Sequence, residues 1–355
     1  MAVYIDIERK LKGFSIELQI KSSARRIGIL GASGCGKSMT LKMIAGIETP
    51  GKGKIQLGSH VLFDSQNRIN IKPQKRNVGY LFQNYALFPS MTVEENIAAG
   101  LKGDKEEKRS RVREMTERFR LSGLEKRLPG ELSGGQQQRT ALARIMACEP
   151  EMILLDEPYA ALDVFLRDRL EQELLTMLKD YEGTAILVSH NRDEIYRFSQ
   201  DLLVMEEGKT AVFGKSRDIF ENPGKIAAAR LTGCKNISRV EILNSHSMRA
   251  LDFGVILHTK RKIPEDTSAV GFRAHEFVPV WGKRLENCIR VQVVSRAELP
   301  FEQKYYLKPE TEGEENGERE PLCWFVQRDR WQELSEKGLP DYLQFCEEEL
   351  LLLKE

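Results

Sequence analysis

The chain predicts an α/β fold built on a mostly parallel sheet, with an antiparallel N-terminal strand pair, followed by a small all-β domain. Three observations carry this. Short apolar strands alternate with helix-length stretches up to about residue 235, as parallel sheets flanked by helices do. The first twenty residues instead alternate apolar and polar side chains. Beyond residue 235 the helical rhythm gives way to short strand-like pieces.

Taken in order, Val3, Ile5 and Ile7, then Phe14, Ile16, Leu18 and Ile20, form a period-two pattern that reads as a strand pair. Arg26–Leu30 (RIGIL) is a dense strand of the kind buried on both faces. A glycine loop follows, then a helix over Met39–Ile47, and Val78–Phe82 is another strand. Residues 104–120 are rich in Lys, Arg and Glu, with Val112, Met115 and Phe119 at helical spacing, which predicts an exposed amphipathic helix. Gln136–Cys148 is a helix. Met152–Leu155 and Ala185–Val188 are buried strands separated by a helix over 165–180. In the second domain, strands are expected at Arg239–Ile242, Phe253–His258, Ala269–Phe272 and Ile289–Val294, suggesting a barrel-type domain. Glu310–Glu320 reads as a solvated acidic loop.

The bulk numbers set limits. With 355 residues, 41% of them hydrophobic, there is material for two cores. Lys and Arg nearly balance Asp and Glu, at a net charge of +1, so no basic stripe marks a nucleic-acid partner. The cysteines at 35, 148, 234, 288, 323 and 346 form no CxxC pair and no metal-ligand spacing, which predicts reduced thiols in a cytosolic setting. No signal peptide is expected from the charged N-terminus, and no run of about 18 apolar residues would span a bilayer.

Gly31, Ala32, Ser33, Gly34, Cys35, Gly36, Lys37 and Ser38 fit GxxxxGK[ST] between an expected strand and an expected helix that begins at Met39. Glycines let consecutive N–H groups turn toward phosphate, and the helix N-terminus adds its positive end. Lys37 would reach the terminal phosphates of ATP and Ser38 would ligate Mg²⁺. Four fixed positions recur by chance in such a length on the order of 1% of the time. Met152–Asp156, followed by Glu157 and Pro158, is an apolar strand ending in two carboxylates. That places Asp156 to hold Mg²⁺ through water and Glu157 to orient or deprotonate the attacking water; the plain alternative is an ordinary strand end. Ser133, Gly134, Gly135 and Gln136 precede a helix. They read either as a second anion-binding N-terminus or as a Gly-Gly turn that caps the helix.

These motifs, in this order, resemble the nucleotide-binding subunit of ABC transporters over about residues 1–235, with Gln83 like the family's Q-loop, Ala161-Leu162-Asp163 like its D-loop and Ser189-His190 like its switch histidine. The resemblance implies the P-loop ABC ATPase cassette fold with an N-terminal antiparallel β part and a helical subdomain, ATP and Mg²⁺ as ligands, and a head-to-tail dimer of two copies. Each ATP would lie between one copy's phosphate loop, Gly31–Met39, and the other copy's Ser133–Gln136, with Ser133 and Gly135 on the γ-phosphate. Glu157 and His190 would be catalytic. Ser38, Asp156 and Gln83 would serve the metal, and Gln83 would transmit its state to a membrane permease. Phe14 is a candidate to stack on adenine, with a core position as the equal alternative.

Asn84–Asn96 (NYALFPSMTVEEN) resembles importer subunits. Val61–Ser65, Pro73–Gln83 and Leu231–Asn236 are similar to the ATPase subunits of molybdate and related oxyanion importers. Residues 236–355 resemble the oligomer-binding-like (OB-like, TOBE-type) domain of such subunits. Ala269–His275 matches its recurring strand, although His275 and Glu276 depart from the pattern, which leaves a regulatory or dimer-stabilising role beside oxyanion binding. The implied protein is a cytoplasmic ATPase, peripheral on the inner membrane face through its permease and served by a solute-binding protein. Molybdate or tungstate is the implied cargo, with sulfate next. The rival classes are a non-transport ABC ATPase acting on nucleic acid or ribosomes, which would carry coiled-coil arms or tandem cassettes, and an oxyanion-binding protein, which would need no ATPase motifs.

Overall fold

A computed structural model describes residues 2–11, 13–160, 164–310 and 320–355, with the side chains of 164–166 excepted. The D-loop residues 161–163 and most of the acidic stretch expected at 310–320 lie outside the described residues. The chain divides into two compact units, Met1–Arg217 and Asp218–Glu355.

In the first unit the elements are β1 (Val3–Leu11), β2 (Phe14–Ser22), β3 (Arg26–Gly31), α1 (Lys37–Ala45), β4 (Lys52–Leu57), β5 (His60–Asp64), β6 (Ile69–Asn70), β7 (Val78–Leu81), α2 (Val93–Ala98), α3 (Lys105–Arg118), α4 (Gly134–Ala147), β8 (Met152–Asp156), α5 (Val164–Met177), β9 (Thr184–Ser189), α6 (Arg192–Phe198), β10 (Asp201–Glu206) and β11 (Lys209–Lys215). All the strands join one eleven-stranded sheet in the order β6-β5-β4-β1-β2-β11-β10-β3-β9-β8-β7. Strands β10, β3, β9, β8 and β7 run parallel. Every residue of β8 and β9 is buried, as central parallel strands covered on both faces must be.

The flank from β2 to β6 is antiparallel. Here the period-two pattern puts Val3, Ile5, Ile7, Ile16, Leu18 and Ile20 into the core. The flank meets the rest of the sheet at β2 and β11, through a single paired position, Lys209 against Glu17. Gly208 at φ +84 lets this approach happen, since a Cβ there would lie 1.9 Å from the Ser15 carbonyl oxygen.

Helices α2, α3 and α4 pack on one another as the expected helical subdomain. The first two begin with capping boxes, at Thr92/Glu95 and Asp104/Glu107. Helix α1 ends on Gly46 at φ 81 and is anchored by the buried Arg76. Its guanidinium donates to the carbonyls of Met43 (2.9 Å), Ile44 (2.7 Å) and Ile71 (2.7 Å) and to Asn70 Oδ1 (2.9 Å). A cation at a helix C-terminus complements the exposed carbonyls there.

The second unit holds α8 (Ile226–Leu231), preceded by α7 (Ser216–Glu221) at the junction, then β12 (Asn236–Asn244), β13 (Ser247–Ala250), β14 (Val255–His258), β15 (Ala269–Phe272), β16 (Val278–Val280), β17 (Cys288–Glu298), β18 (Glu302–Pro309), β19 (Leu322–Gln327), α9 (Trp331–Lys337), β20 (Tyr342–Gln344) and β21 (Leu351–Leu353). The all-β expectation holds, but as two five-stranded sheets, β14-β13-β12-β15-β21 and β16-β20-β17-β18-β19, that share one core around Phe272, Phe277, Trp324 and Phe345.

The boundary falls earlier than residue 235. The reason is packing: Ala229 and Cys234 cluster with Ala269, Leu351 and Leu353, and the Arg273 guanidinium donates to the carbonyls of Phe220 and Thr232. Among the described residues no helix is long and apolar enough to cross a membrane.

Candidate active site

Strand register assembles the site. Leu30 of β3 lies beside Ser189 of β9, and Val188 of β9 lies beside Asp156 of β8. The loop after β3, the carboxylates ending β8 and the histidine after β9 therefore emerge at one edge, the C-terminal edge where open α/β sheets bind ligands.

The phosphate loop is tightly built. Gly36 at φ 100 is the N-cap of α1, and the first intrahelical bond runs from Thr40 N–H to the Gly36 carbonyl at 2.9 Å. The N–H groups of Lys37, Ser38 and Met39 precede that bond and are free of intrahelical acceptors. Met39's side chain packs on the core, so only its backbone can serve a phosphate. Ala32, Ser33 and Gly34 are exposed, with Gly34 at φ 81. Gly31 must lack a side chain, since a Cβ would sit 2.5 Å from Cys35 Sγ and 2.7 Å from the Met205 carbonyl oxygen. Cys35 is buried, and burial pushes its thiol pKa up, which keeps it an unreactive thiol.

Lys37 is buried; its Nζ donates to the carbonyls of Gly31 and Ala32, both at 2.9 Å, and lies 3.8 Å from Glu157 Oε1. Ser38 Oγ donates to Asp156 Oδ1 at 2.7 Å. Tyr80 OH donates to Asp156 Oδ2 at 2.7 Å, a partner that motif spacing did not single out. Burial and the adjacent Asp156 raise the Tyr80 hydroxyl pKa far above its ordinary value, so it remains a donor.

Glu157 takes a left-handed backbone at φ 43, a strained state for a non-glycine residue costing of order 1 kcal/mol. Its N–H is held by the Val188 carbonyl at 3.0 Å. This turns its carboxylate to His190, whose Nδ1 lies 3.2 Å from Glu157 Oε2. His190 is more than half exposed. Ser189 donates to Glu194 Oε2 at 2.5 Å and accepts from Asn191 N–H at 2.9 Å, which fixes the backbone that carries the histidine.

Gln83 is exposed, in the turn that leaves β7. Because Leu81 of β7 pairs with Leu155 of β8, that turn shares the edge of Asp156. Ser133, also exposed, is the N-cap of α4; its Oγ accepts from Gln136 N–H and its own N–H donates to Gln136 Oε1 at 2.9 Å. The helix is thus capped in its own right, with its N-terminal Gly134 and Gly135 carrying no side chain over its positive end. Among the described residues no hydrogen bond joins Ser133–Gln136 to the phosphate loop. Phe14 packs against the core, within reach of Gly208, which is the core alternative for that residue.

The donor set fits Mg²⁺. Ser38 and Asp156 offer oxygens alone, and among the described residues no cluster of three or more His, Cys, Asp or Glu could cage a metal. Mg²⁺ characteristically takes one or two protein oxygens and fills its octahedron with phosphates and water.

Comparison with known proteins gives the family. A family model described as "ABC transporter" matches residues 14–160. The chain is 40% identical over 228 residues to the Fe(3+) ions import ATP-binding protein FbpC of Brucella abortus (strain 2308), covering 63% of each protein. It is 35% identical over 287 residues to the spermidine/putrescine import ATP-binding protein PotA of Oleidesulfovibrio alaskensis, covering 80% of this chain and 70% of that one. The dimeric structure of MJ0796, a bacterial ABC transporter cassette, superposes with a TM-score of 0.51 at 26% identity, covering 61% of this chain and 99% of that one. The chain belongs to the ABC transporter ATP-binding proteins.

Proposed function

We propose that the chain is the ATP-binding and ATP-hydrolysing subunit of an ABC importer, working as a head-to-tail pair of copies beneath a membrane permease. The observation that supports this best is the single sheet edge carrying Lys37, Ser38, Asp156, Glu157 and His190. Met1–Arg217 form the nucleotide-binding part in this reading, and Asp218–Glu355 a regulatory part. The N–H groups of the phosphate loop and Lys37 Nζ bind the phosphates of ATP. Ser38 and Asp156 hold Mg²⁺, which when bound neutralises charge on the phosphate oxygens. Glu157 orients a water and accepts its proton. His190, whose Nδ1 lies beside the Glu157 carboxylate, contacts the γ-phosphate and closes the site. Ser133 and Gly135 serve the ATP held by the other copy, and Gln83 relays the state of the metal end to the permease.

For the cargo, the relatives named for Fe³⁺ and for spermidine and putrescine now weigh against the molybdate suggested by motif resemblance. The ATPase need not touch the solute, so a transport assay with each cargo decides. In the test of the chemistry, Glu157→Gln keeps ATP binding, loses nearly all turnover and accumulates an ATP-bound dimer on size exclusion. Hydrolysis at the unaltered rate would remove Glu157 from the mechanism.

A further inference from the structure

We propose that Tyr80 is a positioning residue for the metal end of the site, holding the Asp156 carboxylate so that Oδ1 stays turned to Ser38. The proposal rests on the reading of the chain as an Mg²⁺-dependent ATPase.

A carboxylate on a short stem has a broad, roughly two-fold terminal torsion, so packing alone does not fix its plane. Asp156 is held from both sides. Ser38 Oγ donates to one oxygen and Tyr80 OH to the other, each at 2.7 Å. The geometry follows from register. Tyr80 of β7 pairs with Leu154 of β8, and side chains two apart on a strand share a face. Tyr80, Leu154 and Asp156 therefore line the face covered by α1, the helix that carries Ser38. The ring lies against Phe82, with centroids 4.3 Å apart, so the hydroxyl is delivered by a packed body rather than a mobile one. An ionised carboxylate only accepts hydrogen bonds. With Oδ2 engaged by Tyr80, Oδ1 is the oxygen left to work with Ser38 on the cation. Outer partners of metal ligands act in this way, by orienting the ligand.

Tyr80→Phe removes the hydroxyl and keeps the ring. In the 355-residue chain, binding of a fluorescent ATP analogue is titrated with Mg²⁺ and repeated in EDTA. The half-saturating Mg²⁺ concentration should rise about tenfold, with affinity in EDTA unchanged. In an Asp156→Asn background the same substitution should add nothing, because the acceptor it orients is altered. An Mg²⁺ midpoint equal to that of the unaltered chain would overturn the proposal, as would an equal loss in EDTA, which would mark a general defect of the pocket. If the unaltered chain bound nucleotide with no dependence on Mg²⁺, the function on which the proposal rests would fall instead.

Discussion

Replacing Arg76 by Met would strip α1 of its anchor while keeping most of the side-chain volume. Arg76 is 2% exposed and makes four hydrogen bonds from a charged donor. At about 1.5 kcal/mol each, the lower end for charged groups, these contribute about 6 kcal/mol. Against this stands the cost of burying the guanidinium, which lowers its pKa from the ordinary arginine value to about 10 and corresponds to about 3 kcal/mol. The net loss in Arg76→Met is then about 3 kcal/mol. The first unit runs from Met1 to Arg217, a size at which this loss lowers the melting temperature by about 6–12 °C. Differential scanning calorimetry of the full chain would read it. Every tryptophan lies in the second unit, at 281, 324 and 331, so tryptophan fluorescence separates that unit's melting from the first. Arg76→Lys should rescue little, because one ammonium cannot span four acceptors on two segments, Met43–Ile44 and Asn70–Ile71. A melting temperature for Arg76→Met equal to that of the unaltered chain would refute the reasoning.

Alkaline pH should destabilise the first unit. Burial raises the hydroxyl pKa of Tyr80, Tyr85, Tyr159 and Tyr181 above the ordinary 10.0. The unfolded chain therefore releases these protons first, and stability falls as pH climbs past 10, by about 1.4 kcal/mol per pH unit for each tyrosine. Arg76, whose folded pKa is lowered, opposes this with one group's worth of gain over the window from about 10 upward. Urea midpoints between about pH 9 and about pH 11 measure the balance; a rising midpoint would contradict it. Asn96→Ala should loosen the segment after Gln83, because the fully buried amide accepts from Phe88 N–H and donates to the carbonyls of Phe88, Met91 and Thr92. We expect amide exchange across residues 84–92 to quicken by about tenfold or more, and unchanged exchange there would refute the role of Asn96.

Much of the first unit was legible because its signals are local. A strand, a glycine loop and a helix in succession at Arg26–Ala45, and an apolar run ending in Asp156 and Glu157, depend on residues close in sequence. What escaped depends on partners far along the chain. Tyr80 looks like one more strand aromatic until β7 and β8 are set side by side. The hairpin of β10 and β11 went unread although Leu202–Met205 is an apolar run, because its place beside β3 is a tertiary fact. In the second unit the expected strands match β12, β14, β15 and β17 and leave out β13 and β16, and β21 pairs with β15 across more than seventy residues, a closure that no local pattern announces. The backbone of Glu157 was equally silent, since nothing in Asp-Glu-Pro states that the glutamate must sit left-handed. Gly208 could have been noticed: a glycine between two charged residues after an apolar run is a turn signal.

The narrow junction between β2 and β11 has a thermal consequence. Across it the ladder has one paired position, while the apolar core runs through, joining Ile5, Ile16 and Leu18 to Leu41, Met43 and Met205. The antiparallel flank is thus glued on by hydrophobic contact more than laced on by hydrogen bonds. Such glue weakens as water cools, so the flank is the part of the cassette whose attachment is most sensitive to cold, and chilling would slacken it before it disturbed the parallel strands that carry Lys37, Asp156 and His190.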